Sequence, residues 1–244
     1  MTEIHINTRD GACRSYVYTP KTGTGPWPGV LMYMDGIAIR PAMLEVAERM
    51  AQQGFYVLLP DLFYRSGLYE PFDAKTLFSD PAKRQDLMDN YFAKATPEAV
   101  MSDTVAFLAY LSQQPEVKTG KIGTVGYCLG GRMVIYAAAA YPEHMAAVAS
   151  FHAGGMVTDA PNSPHTQVPQ IKARVLVAAA ADDRSFPDEA KVRFEQALTE
   201  AGIDHTLETW PAHHGWVFAD TEAYDAAQAD RHYKATADLF NAVL

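Results

Sequence analysis

Solid apolar runs of strand length alternate with helix-periodic segments along most of this chain. Within PAMLEVAERMA, the apolar residues Met43, Val46, Ala47 and Met50 recur at the spacing of one helix face. The uninterrupted runs read as buried strands: GVLMYM, FYVLLP, KIGTVGY, MAAVASF and ARVLVAAA. Because strands and helices alternate, we predict an α/β fold with a mostly parallel sheet and helices on both faces.

Alternating patterns near the two ends add three further strands. EIHI and ACRSYVY flank the turn dipeptide Asp10-Gly11, which predicts a β-hairpin, and HTLETW precedes the closing helix. Eight strands are therefore expected, within a single domain over residues 1–244. The segment Leu62–Thr96 breaks the rhythm, and we expect it to cover a pocket. The apolar spacing of the closing helix predicts one buried face, formed by Tyr224, Ala227, Tyr233, Ala237 and Phe240.

Composition excludes several classes of function. The chain has 244 residues, of which 48% are hydrophobic, and a formal net charge of -9, so nucleic acid is not an expected partner. No apolar run reaches about 18 residues, so no membrane span is expected. The first residues lack the pattern of an export signal, and the two cysteines occur in unlike contexts. These features predict a cytoplasmic protein with free thiols, and they leave its oligomeric state open.

Cys128 occupies the most informative position in the sequence. The stretch GYCLGG sets Gly126, Cys128, Gly130 and Gly131 between a predicted strand and a predicted helix, the context of a nucleophile elbow. A thiol at a helix N-terminus is favoured as thiolate, and the N–H of Leu129 would face a developing oxyanion. The alternative is a core cysteine in a glycine-rich turn. Cys13 has no such turn and is expected to be inert.

A nucleophilic thiol needs a base, and the base needs an orienting acid. Two strand ends supply candidates in the order nucleophile, acid, histidine: ARVLVAAA is followed by Asp182 and Asp183, and HTLETW by His213 and His214. Spacing does not choose within either pair. His152 follows another strand but is expected to be a surface or packing residue.

At this point the sequence resembles the dienelactone hydrolase family of α/β-hydrolases. The resemblance extends from about Pro28 to about Phe218 and rests on GVLMYMDG, PDLFYR, GYCLGG, DDRSFP and HHGW. It implies an α/β-hydrolase fold. In that family the acid stands four residues before a proline, which selects Asp183, and the base stands before a small residue and an aromatic one, which selects His214.

The resemblance also assigns the loop after the first parallel strand. Asp35 occupies the place of an acidic residue that modulates the thiol, where the family generally carries glutamate. Gly36 would supply the second oxyanion donor. The alternative for Asp35 is a loop residue that caps the helix starting near Pro41.

One departure concerns the substrate. Dienelactone hydrolases proper carry an arginine shortly after the catalytic histidine, whereas this chain has Trp216 and Phe218 there, which we take as substrate contacts. Arg40, Arg65 and Arg84 could supply positive charge instead, but the PDLFYR motif that contains Arg65 is favoured as a structural feature and Arg84 as a solvated helix residue.

The expected function is hydrolysis of a small-molecule carboxylic ester or lactone by Cys128, His214 and Asp183 through an acyl thioester. No cofactor is implied, and adjacent His213 and His214 form a poor metal-chelating pair. The alternative is a ligand-binding, non-hydrolytic member of the same fold. A redox sensor is disfavoured, because Cys13 is a poor resolving partner.

Overall fold

One eight-stranded sheet organises the protein, whose computed structural model describes residues 1–77 and 79–244. Its neighbouring strands follow the order β1-β2-β4-β3-β5-β6-β7-β8. The strands are β1 (Thr2–Thr8), β2 (Gly11–Tyr18), β3 (Gly29–Tyr33), β4 (Tyr56–Pro60), β5 (Ile122–Tyr127), β6 (Met145–Phe151), β7 (Arg174–Ala180) and β8 (His205–Trp210).

Strands β3 to β8 run parallel to one another, whereas β1 and β2 are antiparallel additions at one edge. The predicted hairpin joins β1 to β2, and Gly11 opens β2 at a φ of 141°, where a side chain would be strained. The predicted mostly parallel sheet is thus confirmed. The assignment of residues 1–244 to one domain stays a prediction.

Helices connect the parallel strands. They are α1 (Pro41–Ala51), α2 (Pro81–Asp86), α3 (Pro97–Ser112), α4 (Leu129–Ala140), α5 (Pro164–Gln167), α6 (Asp188–Glu200) and α7 (Ala226–Val243). Helix α2 runs on into a π-helical turn over Leu87–Tyr91. No helix in the described part of the chain is long and apolar enough to cross a membrane.

Local sequence explains where these elements begin. Proline occupies the first turn of α1, α2 and α3, where its missing N–H costs no helical hydrogen bond. The Thr96 side chain accepts a hydrogen bond from the Ala99 N–H and so caps α3. Strands β3, β4 and β5 are buried at every residue, as expected of strands covered by helices on both faces.

The expectation for the closing helix needs correction. The closing helix begins at Ala226, so Tyr224 lies outside it and is 42% exposed, and Ala227 is also exposed. Tyr233 and Phe240 are buried as predicted, and the rest of the buried face of α7 is Ala229, His232, Thr236 and Leu239. Apolar spacing alone could not include the buried histidine and threonine.

The parallel register brings the ends of five strands to one edge of the sheet. Tyr33 pairs with Gly126, Tyr127 with Phe151, and Ala180 with Trp210. The residues that follow these strands therefore share that edge: Asp35 and Gly36 after β3, Cys128 after β5, His152 after β6, Asp183 after β7 and His214 after β8.

Candidate active site

Cys128 stands at a strained turn between β5 and α4. Its φ of 51° and ψ of -110° are unusual for a residue with a side chain and cost about 1–3 kcal/mol. The surrounding glycines permit this turn. A Cβ on Gly126 would lie 2.2 Å from the Gly130 carbonyl oxygen, and one on Gly130 would lie 2.3 Å from the Tyr33 oxygen. The elbow geometry thus depends on close backbone approach.

The surroundings of the Cys128 sulfur favour the thiolate. Burial alone would raise the pKa of this thiol, but the charge and hydrogen bond of His214 outweigh it, so the pKa falls below its ordinary value of 9.0. The Gly36 backbone N–H hydrogen-bonds to the sulfur and also lowers the pKa, whereas the charge of Asp35 raises it. The direction of the pKa shift thus favours a thiolate beside a protonated imidazole.

The residues predicted as acid and base are in direct contact. His214 Nδ1 lies 2.7 Å from Asp183 Oδ2. Burial opposes a charged imidazole, yet the Cys128 thiolate and the Asp183 carboxylate raise the pKa of His214 to about 10. Asp182 and His213, the neighbours that spacing could not exclude, are both exposed. Contact and burial thus distinguish the members of each pair.

Ser185 fixes the other oxygen of Asp183. The Ser185 backbone N–H and hydroxyl donate hydrogen bonds of 2.8 Å and 2.6 Å to Asp183 Oδ1. Burial alone would raise the pKa of Asp183, but His214 and Ser185 lower it to about 2. The carboxylate is therefore charged at neutral pH and held in one orientation.

Two backbone amides are available to an oxyanion. Leu129 is the first residue of α4, so its backbone N–H has no hydrogen-bond partner within the helix. Leu129 also lines the cavity. Gly36 is close enough to the sulfur to donate to it. A Cβ on Gly36 would lie 2.6 Å from Phe92 Cζ, so this loop is packed tightly against the irregular segment.

Asp35 is engaged by an arginine. Its side chain is buried, and Arg40 Nη1 and Nη2 donate to Oδ1 and Oδ2 at 2.8 Å and 2.9 Å. The Ile37 N–H donates to Oδ1 at 2.9 Å. The alternative that Asp35 caps α1 is wrong, because Arg40 is the N-cap residue and α1 has no side-chain cap. Thiol modulation by Asp35 stays a prediction.

Trp216 and Phe218, predicted as substrate contacts, lie in the interior. Both are fully buried and neither lines the cavity. They pack instead against His152, whose ring centroid is 4.9 Å from that of Trp216 and 6.1 Å from that of Phe218. The residues after His214 turn inward beneath the site, so the substrate-contact assignment is corrected.

His152 is the feature that the sequence reading undervalued. It lines the cavity at the end of β6 with a φ of 37°, and its ring centroid is 5.1 Å from that of His214. Burial and the charge of His214 hold its pKa well below the ordinary value, so the ring is neutral. Neither ring nitrogen has a partner within residues 1–77 and 79–244. The sequence signal that could have identified His152 is its position at the end of a predicted strand.

A cavity of about 940 Å³ opens above the thiol. The irregular segment contributes Ala74, Lys75, Ser79, Arg84 and Phe92 to its wall, which agrees with the expectation that this segment covers a pocket. Within the described chain, no group of three or more His, Cys, Asp or Glu side chains is arranged to hold a metal ion.

The cavity wall carries an excess of positive charge. Lys75, Arg84, Arg132 and Arg184 line it, and none forms a salt bridge to a described residue. Of the arginines proposed from the sequence, only Arg84 reaches the cavity; Arg65 pairs with Asp10 and Asp103. Arg132 was missed, although it follows Cys128 by four residues and so lies one helical turn away.

The sheet order and the thiol elbow define an α/β-hydrolase fold. The chain aligns over 98% of its length with 97% of a crystal structure from Klebsiella pneumoniae named "Putative Dienelactone Hydrolase", at a TM-score of 0.85 and 21% identity. Proteins of Methylorubrum extorquens and Synechocystis, each named "Putative carboxymethylenebutenolidase", are 28% and 26% identical. These alignments cover 98% and 100% of this chain and 79% and 97% of the two relatives.

A family model described as "Dienelactone hydrolase family" matches residues 13–244. The chain therefore belongs to the dienelactone hydrolase family, a family of hydrolases. The resemblance stated from GYCLGG, DDRSFP and HHGW is confirmed.

Proposed function

We propose that the protein hydrolyses carboxylic esters or lactones, with Cys128 as nucleophile, His214 as acid and base, and Asp183 as the residue that orients His214. The observation that carries the proposal is the 2.7 Å contact between His214 Nδ1 and Asp183 Oδ2, with the same imidazole close enough to Cys128 to lower the pKa of its thiol. This is the arrangement of an activated nucleophile.

The reaction proceeds in two stages. The thiolate attacks the substrate carbonyl carbon, and the carbonyl π electrons move to oxygen, where the Leu129 and Gly36 N–H groups stabilise the charge. When the intermediate collapses, the C–O bond to the leaving group breaks and His214 donates its proton to the departing alkoxide. Water then attacks the thioester with His214 as general base, which releases the carboxylic acid and regenerates the thiolate.

Replacement of the nucleophile tests this proposal. Cys128→Ala is expected to reduce kcat for a small ester by about a thousandfold or more, because only binding and the oxyanion donors remain. Cys13→Ala is the matched control, since Cys13 is buried and distant from the cavity, and it should retain the parent rate. Equal activity of Cys128→Ala and the parent would exclude Cys128 as the nucleophile, whereas absence of ester hydrolysis by the parent itself would favour the non-hydrolytic, ligand-binding alternative.

The cavity charge supports esters or lactones that carry an anionic group. Arg132 Nε is buried without a hydrogen-bond partner among the described residues, a costly state that an anionic ligand group would relieve. Asp35, Asp183 and Glu222 are the carboxylates on the cavity wall, so its four lysine and arginine side chains outnumber them by one.

A further inference from the structure

Arg40 links two loops that are 180 residues apart in the chain. It is 2% exposed, and its guanidinium is held between two carboxylates. One edge forms the bidentate pair with Asp35 on the loop after β3. The other edge donates from Nε to Asp220 Oδ2 at 2.6 Å and from Nη2 to Asp220 Oδ1 at 3.3 Å, on the loop after His214.

On the β3 side, the link holds the residues on both sides of Gly36. Asp35 precedes Gly36, its carboxylate accepts from the Ile37 N–H, and Arg40 Nη1 also donates to the Ala38 carbonyl at 3.2 Å. Ala38 has a φ of 73°, so this turn needs support from its surroundings. Arg40 therefore donates hydrogen bonds to the Asp35 carboxylate and to the Ala38 backbone carbonyl of this turn.

On the β8 side, Asp220 is followed by Thr221, whose side chain contacts the residue after His214. The single proton of the Thr221 hydroxyl is shared between the Gly215 carbonyl, 3.0 Å away, and the Phe218 carbonyl, 2.9 Å away. The Arg40 guanidinium also lies over the Phe218 ring, 4.8 Å from its centroid. The segment between His214 and Thr221 is thus a folded turn, in which the neighbour of Asp220 is hydrogen-bonded to the neighbour of His214.

We propose that Arg40 and Asp220 are positioning residues that hold the Gly36 oxyanion donor and the His214 base at fixed separation around the Cys128 sulfur. This inference rests on the proposed function. It follows because the donor and the base must act on one carbonyl group at the same time, and their loops otherwise come from opposite sides of the thiol.

The guanidinium shape is essential to the proposal. A planar fork with donors on two edges bridges two carboxylates, whereas a lysine ammonium keeps the charge but not this geometry. Arg40→Lys and Asp220→Ala should each lower kcat for an activated ester by about tenfold, with KM within about twofold of the parent. The double variant should be no slower than the slower single variant, because both changes cut the same link.

Asp230→Ala is the matched control. It breaks an exposed Arg–Asp ion pair, Arg49 with Asp230, outside the catalytic cavity, so the parent kcat is expected. Thermal melting of every variant separates stability from rate. If Arg40 is only structural, Arg40→Lys and Asp220→Ala will melt earlier with unchanged kcat below their melting temperatures, which overturns the inference.

Asp220→Ala keeps the test decisive if Arg40→Lys does not fold, because Asp220 is partly exposed and the Asp35–Arg40 pair survives its removal. A parent-like kcat in Asp220→Ala contradicts the inference. The proposed function is judged separately by Cys128→Ala: if that variant keeps full activity, the triad is wrong. If Cys128→Ala is inactive and Asp220→Ala is not impaired, only the positioning role is wrong.

Discussion

The state of the thiol depends on one neighbouring side chain. Because His214 lowers the pKa of Cys128 against the effect of burial, alkylation by iodoacetamide should be half-maximal below pH 9.0 in the parent. In His214→Ala the main lowering cause is gone, while burial and the weaker effect of the Gly36 N–H remain, so the midpoint should rise. Peptide mass spectrometry of the alkylated protein would measure both midpoints.

Cys13 serves as the internal reference for that measurement. Burial raises its pKa to about 12, although the Ser15 hydroxyl partly opposes this. It should stay unmodified throughout the titration of Cys128. Equal labelling of the two cysteines, or an unchanged Cys128 midpoint in His214→Ala, would contradict the ion pair.

Ser185 gives a second prediction at the scale of single residues. Ser185→Ala removes the 2.6 Å hydroxyl donor to Asp183 but keeps the backbone donor, so the pKa of Asp183 should rise and His214 should be less well oriented. Loss of a hydrogen bond to a charged group costs about 1.5–3 kcal/mol, which corresponds to a fall in kcat of about tenfold or more. A steady-state kcat equal to that of the parent would exclude this role.

The sequence could predict the chemistry of the site but not all of its members. Strand-end position indicated Asp183 and His214 only as members of pairs, and the family resemblance chose between them. The inward turn of Trp216 and Phe218 and the Asp35–Arg40–Asp220 link depend on contacts between distant segments. No local pattern encodes such contacts.

At the scale of elements, the elbow depends on glycine at a helix start. In Gly130→Ala, the new Cβ would lie 2.3 Å from the Tyr33 oxygen and 2.5 Å from the Met34 oxygen. Both are backbone atoms that cannot move aside cheaply, so the free energy of unfolding should fall by at least about 3 kcal/mol. Chemical denaturation would measure this change.

Gly54→Ala is the control for that prediction. Gly54 has a φ of 102°, and no atom lies within 4 Å of its added Cβ among the described residues. Only backbone strain applies, so the loss should be about 1–2 kcal/mol. Similar losses of unfolding free energy in Gly130→Ala and Gly54→Ala would show that the close backbone contacts of Gly130 do not determine the stability of the elbow.

Element type was predictable where periodicity was strong. All eight strands follow from apolar runs or alternation, and the hairpin follows from Asp10-Gly11. The sheet order was not predictable, because the placement of β4 between β2 and β3 is set by tertiary pairing. The buried face of α7 was misread because His232 is buried with a hydrogen bond to the Tyr127 hydroxyl, 2.9 Å away.

At the scale of the whole molecule, the protein has a net charge of -9, whereas the cavity wall carries more cationic than anionic side chains. An anionic ester should therefore be turned over with a higher kcat/KM than a neutral one of similar size, despite the acidic surface. Arg132→Met should lower kcat/KM for the anionic ester by about tenfold or more and leave the neutral ester within about twofold. Equal effects on the two esters would contradict an anion subsite at Arg132.

The central claim is that acyl transfer passes through the sulfur of Cys128. Rapid acid quench during turnover of an activated ester, followed by peptide mass spectrometry, should find the acyl group on the peptide that contains Cys128, and none on Cys13. The adduct should accumulate before product in the parent and persist longer in Asp183→Asn, where the base is misoriented. Full turnover with no acyl group on Cys128, or with the acyl group on another residue, would contradict the account.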